Sequence, residues 1–399
     1  MFKEQHDRLL KRAELYHFST GIDDACTKIA KANMKFGLAK MHWVQENLGL
    51  EPNATFISSP DETITRNTAR WQEGISYGGK ICWGSGKEKL IMLDVKPNAC
   101  GMLVGGLSRI PDPREIVRKV EQMEHENHFI NDIKVKWDFY KGNHFIDFFE
   151  VNPLRNIKMP KYAVILHAGC PEFKGENYKG PGLYWNESIQ LQQMMEEMQT
   201  PFGKVRVLQG NDALEYYNHF KEAEDFAKKR RELAYRLLMD GRNVITNKTH
   251  QGLISMNEVV LGCHNIRLKN DIFPVSIRAD LPSYLFKGYF NLTKEKVEEL
   301  GFMHRAMQLG VYTRLRKANL MPHGGGYKFL DSLAVDRIFE VNNKRFFEIS
   351  MADGIGKKIV SDMNELEFEY RSKEVVQKTI ELGLGEPVAE LRPVYTIKI

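Results

Sequence analysis

Cysteine is scarce: five residues in 399, with no C-x-x-C spacing. That pattern suggests neither a disulfide framework nor a zinc ribbon, and the odd count leaves at least one free thiol. No uninterrupted apolar run approaches the roughly 20 residues that a membrane-spanning helix needs. The opening residues Met1-Phe2-Lys3-Glu4-Gln5-His6-Asp7 lack the apolar stretch of a secretory signal. No membrane partner is expected, and the cytoplasm is the default compartment. A strong charge of one sign is missing too, because the net charge is only +5. Basic residues come in short groups such as Lys228-Lys229-Arg230-Arg231 and Arg314-Leu315-Arg316-Lys317 rather than in a tail. Such groups usually form solvated helix faces, so RNA, if it binds, is expected in a local cleft. Repeats and low-complexity linkers are absent as well.

What is present is a hydrophobic content of 42%, enough for a sizeable core in one large domain or two smaller ones. Apolar spacing predicts helix over residues 1–49, 113–128, 187–199, 212–240 and 372–382, with Asp112 as a cap and Pro113 in the first turn of the second. Residues 52–86 read as a Gly/Asn/Ser-rich loop. Residues 89–95 read as a buried strand, and residues 133–140 and 144–151 as two aromatic strands around Lys141-Gly142-Asn143. A β-rich stretch covers residues 244–289, a short helix begins near Thr293, a hairpin over 337–350 turns at Asn342-Asn343, and residues 394–399 close the chain as a strand. Strands and helices come in runs, which predicts an α+β fold rather than a doubly wound parallel sheet.

Five short segments place a histidine or cysteine beside small or polar residues: Asn98-Ala99-Cys100-Gly101, Gly142-Asn143-His144-Phe145, Leu166-His167-Ala168-Gly169, Cys263-His264-Asn265 and Pro322-His323-Gly324-Gly325-Gly326-Tyr327. Most follow a β-rich apolar run, so their side chains belong where strands end and loops begin. One thiolate with several imidazoles suits a borderline-soft divalent ion such as Zn²⁺ or Mn²⁺. His125, His128, His219 and His250 lack such neighbours and read as structural or surface residues. The glycines after His323 leave backbone N–H groups unobstructed, as in loops that approach phosphate, although an ordinary turn explains the same residues.

The order of these segments resembles the RtcB-type RNA-splicing ligases. That family carries D-x-x-C-G, G-N-H-F-x-E, H-S-G-S-R-G, H-N, R-K-G, G-S-M-G, H-G-A-G-R and a C-terminal I-K-G. Here the corresponding steps read Pro97-Asn98-Ala99-Cys100-Gly101, Gly142-Asn143-His144-Phe145-Ile146-Asp147, His167-Ala168-Gly169-Cys170-Pro171, His264-Asn265, Phe286-Lys287-Gly288, Arg305-Ala306-Met307-Gln308, His323-Gly324-Gly325-Gly326-Tyr327 and Ile397-Lys398-Ile399. The collinear match spans about residues 90–399, and residues 1–88 form a divergent N-terminal portion without the family's M-P-D-V-H-x-G signature. The resemblance implies one large mixed α/β catalytic domain over residues 1–399, with its metal site in a central cleft.

It also implies roles. Cys100 would bridge two Mn²⁺ ions, His167 and His264 would complete the first site, and His144 would belong to the second. His323 would take GMP from GTP, with Asn143, Asp147, Lys287, Gly324, Gly325, Gly326 and Lys398 at the nucleotide. The partner would be RNA bearing a 3′-phosphate or 2′,3′-cyclic phosphate end and a 5′-hydroxyl end. Several positions depart from the pattern. Pro97 stands where the family has a metal-binding aspartate, so a second ion must recruit Asn98, Asp94 or water, or is lost. Asp147 replaces glutamate, Ala306 a serine, Cys170-Pro171 a Ser-Arg step and Tyr327 an arginine; Lys174, Lys287 and Lys328 are nearby candidates to restore charge. The alternatives are a related metal-dependent nucleotidyl transferase or phosphoesterase, and a non-catalytic protein that binds RNA ends.

Overall fold

The segments Phe145–Pro153 and Tyr162–Ala168 are rich in the β-branched and aromatic residues that fill a pleated surface, and Gly101–Leu107 is a mostly buried run of glycine, methionine, leucine and valine. In this computed structural model, which describes every residue except Met1, Lys141, Asn343, Ile355 and Ile399, they form the middle of a seven-stranded sheet. Its order is Val244–Thr249, Gly101–Leu107, Tyr162–Ala168, Phe145–Pro153, Gly385–Ile397, Ser283–Gly288, Ile272–Val275. Every neighbouring pair is antiparallel. Register shifts in three of these pairs mark bulges, which bend strands and increase twist. The sheet curls until its edges meet, where Thr246 Oγ1 donates to the Ile272 carbonyl at 2.7 Å. Met102, Val104, Phe149, Ala163, Ile165, Leu285 and Leu391 pack on the enclosed side. Leu103, Ile146, Phe148, Val164 and Leu166 join the main core, which runs in sequence from Leu9 to Ile397.

A second sheet pairs His17–Phe18, Thr55–Thr63, Tyr77–Cys82, Glu258–Leu261 and Gln251–Ser255 in that order; the first pair is parallel and the rest are antiparallel. The chain passes from the first sheet to the second at His250, between Val244–Thr249 and Gln251–Ser255. A two-stranded ribbon of Cys263–Asn265 and Leu320–Pro322 follows the second sheet. The seam between the sheets is therefore where chain segments distant in sequence meet.

The molecule is mixed α/β, with 31% helix and 34% strand. Pro113–His125 starts as expected, with the Asp112 side chain accepting from the Arg114 N–H, and the long helix Gly210–Met239 spans the segment predicted near it. That helix corrects one expectation about charge. Within Lys228-Lys229-Arg230-Arg231 the two arginines are buried against the first sheet rather than solvated. Arg314 and Arg316 likewise donate to the carbonyls of Asn53, Gly84 and Leu292.

Residues 52–86 are not a loop but contain Thr55–Thr63, Thr68–Gln72 and Tyr77–Cys82. Every residue of Thr55–Thr63 is buried despite its polar composition, because its polar groups find partners inside. Residues 1–49 divide into Phe2–Leu15, His17–Phe18 and Ala25–Asn47. The helix predicted over 187–199 is confined to Ile189–Met194, since Glu196–Thr200 turns back at Pro201-Phe202 to pair with Gly203–Gln209. Only Ile133–Lys134 of the strand predicted over 133–140 pairs, with Phe129–Ile130. The hairpin Ser332–Val341 with Lys344–Met351 occurs as expected and the closing strand begins earlier than residue 394, at Gly385–Ile397, while Lys141, Asn343 and Ile399 of the predicted turns and terminus lie outside the described residues. No helix among the described residues is long and apolar enough to cross a membrane.

Candidate metal centre

Antiparallel pairing explains why ligands so far apart in sequence converge. Cys100 immediately precedes Gly101–Leu107, His144 precedes Phe145–Pro153, His167 is the penultimate residue of Tyr162–Ala168, and His250 follows Val244–Thr249. In register, Thr249 faces Gly101, Gly101 faces Ala168, and His167 faces Phe145. The start of one strand thus lies beside the end of the next, and all four side chains gather at one end of the sheet. The Asn98 side chain accepts from the Cys100 N–H at 3.0 Å, and the His250 N–H donates to the Cys100 carbonyl at 2.9 Å, so the thiol-bearing turn is held on two sides.

Cys100 Sγ lies 3.2 Å from His167 Nε2 and 3.4 Å from His144 Nε2. The outer nitrogens are already committed. His167 Nδ1 donates to the Asn143 carbonyl at 3.0 Å, and His144 Nδ1 faces the Asp138 carbonyl at 3.0 Å and its carboxylate at 3.1 Å. With Nδ1 committed outward, both Nε2 atoms face the sulfur, the orientation that outer hydrogen bonds impose on metal-binding imidazoles. The ligand atoms of Cys100, His144 and His167 all lie within 4.8 Å of one another, and this group can hold a metal ion.

Behind His144, Asp138 is paired with Arg230 at 2.6 Å, and Arg230 also reaches Glu172 at 3.1 Å. Burial pushes the Asp138 carboxyl up, but Arg230 and His144 more than reverse this and hold it below the usual carboxylate range. Burial works against the His144 cation, yet Cys100 and Asp138 outweigh it and raise this imidazole to about 10. His167 is driven well down, first by burial and then by the neighbouring His144 and His323.

The other half of the seam is bonded differently. His264 gives Nε2 to the Pro274 carbonyl at 2.9 Å, and its Nδ1 is buried without a partner. Burial lowers it to about 3. The structure thus does not bring His264 to the thiol. His323 presents both its backbone N–H and Nδ1 to Asp61 Oδ2, at 2.9 and 2.8 Å, and the Gly324 N–H reaches the same oxygen at 3.3 Å. Asp61 is fully buried and also accepts from Ser59. His323 therefore has Nε2 as its open nitrogen. Between the halves stands His250, with Nε2 3.2 Å from His167 Nε2 and its ring 4.5 Å from that of His323.

Sequence reasoning missed His250 and Asp61. Like the other histidines His250 stands at a strand end, but Thr249 and Gln251 offer no small-residue motif; Asp61 belongs to a segment read as loop.

The residues expected at a nucleotide are spread around this centre. The Asn143 carbonyl serves His167, while Lys398 Nζ donates to the Gly142 carbonyl at 2.5 Å, so two matching motifs meet at an exposed rim. Asp147 is buried among the enclosed residues with Oδ1 unpartnered, and burial raises its carboxyl to about 7. Lys287 Nζ faces Glu386 at 3.5 Å. Gly324, Gly325 and Gly326 are buried, and a Cβ at each would meet a carbonyl oxygen: Ser276 at 2.7 Å, Arg371 at 2.6 Å and Asp61 at 2.8 Å. Packing alone requires glycine at these positions, and Gly326 also has a φ of +66°. Near Pro97, Asp94 is paired with Arg206 at 2.9 Å and Asn98 is bonded to Cys100, so both candidates for the missing aspartate's role already have partners.

No protein-family model matches the chain, and no curated protein matches it.

Proposed function

We propose that this protein is a metal- and GTP-dependent RNA ligase that joins a 3′-phosphate or 2′,3′-cyclic phosphate end to a 5′-hydroxyl end through guanylylated His323. One observation carries the reading: the ring of His323, oriented by buried Asp61, lies 4.5 Å from that of His250, and His250 adjoins His167 of the thiol–imidazole group. A nucleophile fixed by a carboxylate beside a metal-binding group is the constellation that nucleotidyl transfer requires. Two strand-end elements, Gly142-Asn143 and Lys398, also meet beside it.

The donor set of Cys100, His144 and His167 fits a divalent ion, Mn²⁺ in this reading, which when bound would neutralise charge on phosphoryl oxygens. The chain's own steps follow from its hydrogen bonds. Asp61 holds the hydrogen on His323 Nδ1, leaving the Nε2 lone pair to attack the α-phosphorus of GTP. The N–P bond forms as the bond to pyrophosphate breaks, and Asp61 stabilises the positive charge that develops on the ring. GMP then passes to an oxygen of the RNA 3′-phosphate, a cyclic end first being opened by water. Attack by the 5′-hydroxyl, which loses its proton, forms the phosphodiester and releases GMP.

A second reading, a metal-dependent phosphoesterase, is favoured by the packing of Gly324, Gly325 and Gly326 on protein carbonyls and by Tyr327, which packs edge-on to Phe368 and tilted against Tyr370 where the family has a phosphate-binding arginine. Incubation with α-labelled GTP and Mn²⁺ separates the readings. The ligase gives an acid-labile adduct that His323→Ala abolishes while metal content is kept. No adduct with any ribonucleoside triphosphate removes the ligase, leaving the phosphoesterase if a 2′,3′-cyclic phosphate is hydrolysed and a non-catalytic RNA-end binder if it is not.

A further inference from the structure

The hairpin of Ser332–Val341 and Lys344–Met351 pairs with Lys357–Val360 to make a three-stranded antiparallel sheet whose two faces are unlike. One face gives Phe347, Ile349 and Val360, all buried, to a core shared with Ile29 and Trp71. The other carries Phe339 directly opposite Phe346, their rings stacked with centroids 5.5 Å apart and 14° between the planes. Neither ring belongs to a hydrophobic core among the described residues, and Val341 and Ile359 near them are 50% and 56% exposed. Cations stand at both ends of the pair. The Arg337 guanidinium lies 5.2 Å from the centroid of Phe339, and Lys344 Nζ lies 5.6 Å from that of Phe346. Glu348 serves Arg337 at 2.9 Å and Lys357 at 2.6 Å, and Asp336 serves Lys357 at 3.1 Å, while Lys344 has no carboxylate partner among the described residues.

We propose that this outward face is a platform for single-stranded RNA, with bases stacking on Phe339 and Phe346 and backbone phosphates held by Arg337, Lys344 and Lys357. A cross-strand aromatic pair also steadies a sheet, but that role needs no cations at its ends. Sheets that hold single strands combine the two, because every base offers a flat face to stack and every linkage a negative charge. Charge also argues against a protein occupant. The centre of a protein interface is depleted of charged side chains, whereas here they surround a single aromatic pair, three cations against two carboxylates. The Arg337 side chain is 67% exposed, so it can turn from the ring to a phosphate when a base takes its place. The inference rests on RNA as the partner in the ligase reading but not on guanylylation, and it places an RNA contact on a sheet that supplies none of the metal-centre residues.

Fluorescence anisotropy of the full-length protein with a labelled oligouridine about 12 nucleotides long tests this. The RNA carries hydroxyls at both ends and a chelator is present, so nothing can be ligated. The wild type should bind, more weakly as salt rises. Phe339→Leu and Phe346→Leu keep apolar bulk but remove a ring, and each should weaken binding about tenfold, while Phe346→Trp should retain it. Lys344→Ala should reduce the salt dependence by about one phosphate contact. His323→Ala should bind as the wild type does, and thermal unfolding checks that each variant is folded. No binding by the wild type, or wild-type affinity in the folded leucine variants, would overturn the platform. Self-association that the leucine variants abolish would assign the face to a second copy of the chain instead. The two readings fail separately: an adduct with GTP but no oligouridine binding removes the platform and leaves the ligase, whereas binding without an adduct removes the ligase and leaves the platform.

Discussion

In one half of the seam, His144 and His167 place Nδ1 on oxygen acceptors and turn Nε2 toward Cys100; in the other, His323 gives Nδ1 to Asp61 and His264 gives Nε2 to Pro274. All four are histidines near strand ends. What separates them is the bond made by the nitrogen facing away from the centre, because that bond fixes the tautomer and decides which lone pair remains. His144 and His167 are left as ligands to a soft centre. His323 is left with a free, oriented Nε2 suited to attack on phosphorus, and the Nε2 of His264 already has a partner. A histidine's place in a motif thus says less about its chemistry than the acceptor behind it.

The comparison breaks most easily at the thiol. Cys100→Ala should lower metal affinity by orders of magnitude, because it removes the atom that both Nε2 nitrogens face. Metal analysis after dialysis reads this, and unchanged content would remove the ligand role from that half.

Asp138→Ala should be the most damaging to stability. It leaves Arg230 buried with only Glu172 as a carboxylate partner and frees His144 Nδ1. Breaking a buried pair from one side costs about 3–5 kcal/mol, and loss of an outer partner weakens metal binding about 10–100-fold. Denaturant unfolding with metal titration checks both, and a stability loss below about 1 kcal/mol would mean that Glu172 suffices.

Much of the frame was legible. Pro113–His125 shows its cap and Gly210–Met239 its periodicity, and the hairpin of Ser332–Val341 with Lys344–Met351 shows its turn. The segment Thr55–Thr63 was not, because a strand reading TFISSPDET has neither alternation nor an apolar run. Its burial depends on His17 for Glu62 and His323 for Asp61, partners that only the tertiary fold supplies. Cys100, His144 and His167 could be picked out as candidate ligands by their small neighbours. His250 could not be placed beside them, since its only signal is its position at the crossing between two sheets. Arg230 and Arg231 misled for a related reason: a basic run reads as solvated unless its buried partners are known.

Asp147 sharpens the comparison through pH. Burial raises its carboxyl from an ordinary value of 3.8 to about 7. The folded state then holds the proton more tightly than the unfolded chain, so the stability tied to the neutral form is present below about pH 4 and lost as pH rises toward 7. Asp147→Asn should match the wild type in acid and exceed it at pH 8 by a few kcal/mol at most, since each tenfold difference in proton affinity is worth about 1.4 kcal/mol. Denaturant midpoints at pH 5 and pH 8 test this, and a gap that does not widen would show that the carboxylate is solvated or paired.

The smallest effect belongs to the glycine step. Gly325→Ala puts a Cβ 2.6 Å from the Arg371 carbonyl, a backbone atom that cannot swing away. A loss of about 1–3 kcal/mol is expected from such overpacking, measured by thermal unfolding, with metal content unchanged. Wild-type stability would show that the loop relaxes.

Calorimetric titration of the metal-free protein with Mn²⁺ tests the division of labour in the seam most directly. Cys100, His144 and His167 form the assembled group, while Asp94 and Asn98 beside Pro97 are already bonded to Arg206 and Cys100. The expected result is one tight equivalent in the wild type that disappears in Cys100→Ala and persists in His323→Ala. No tight equivalent in the wild type, or one that survives in Cys100→Ala, would contradict it.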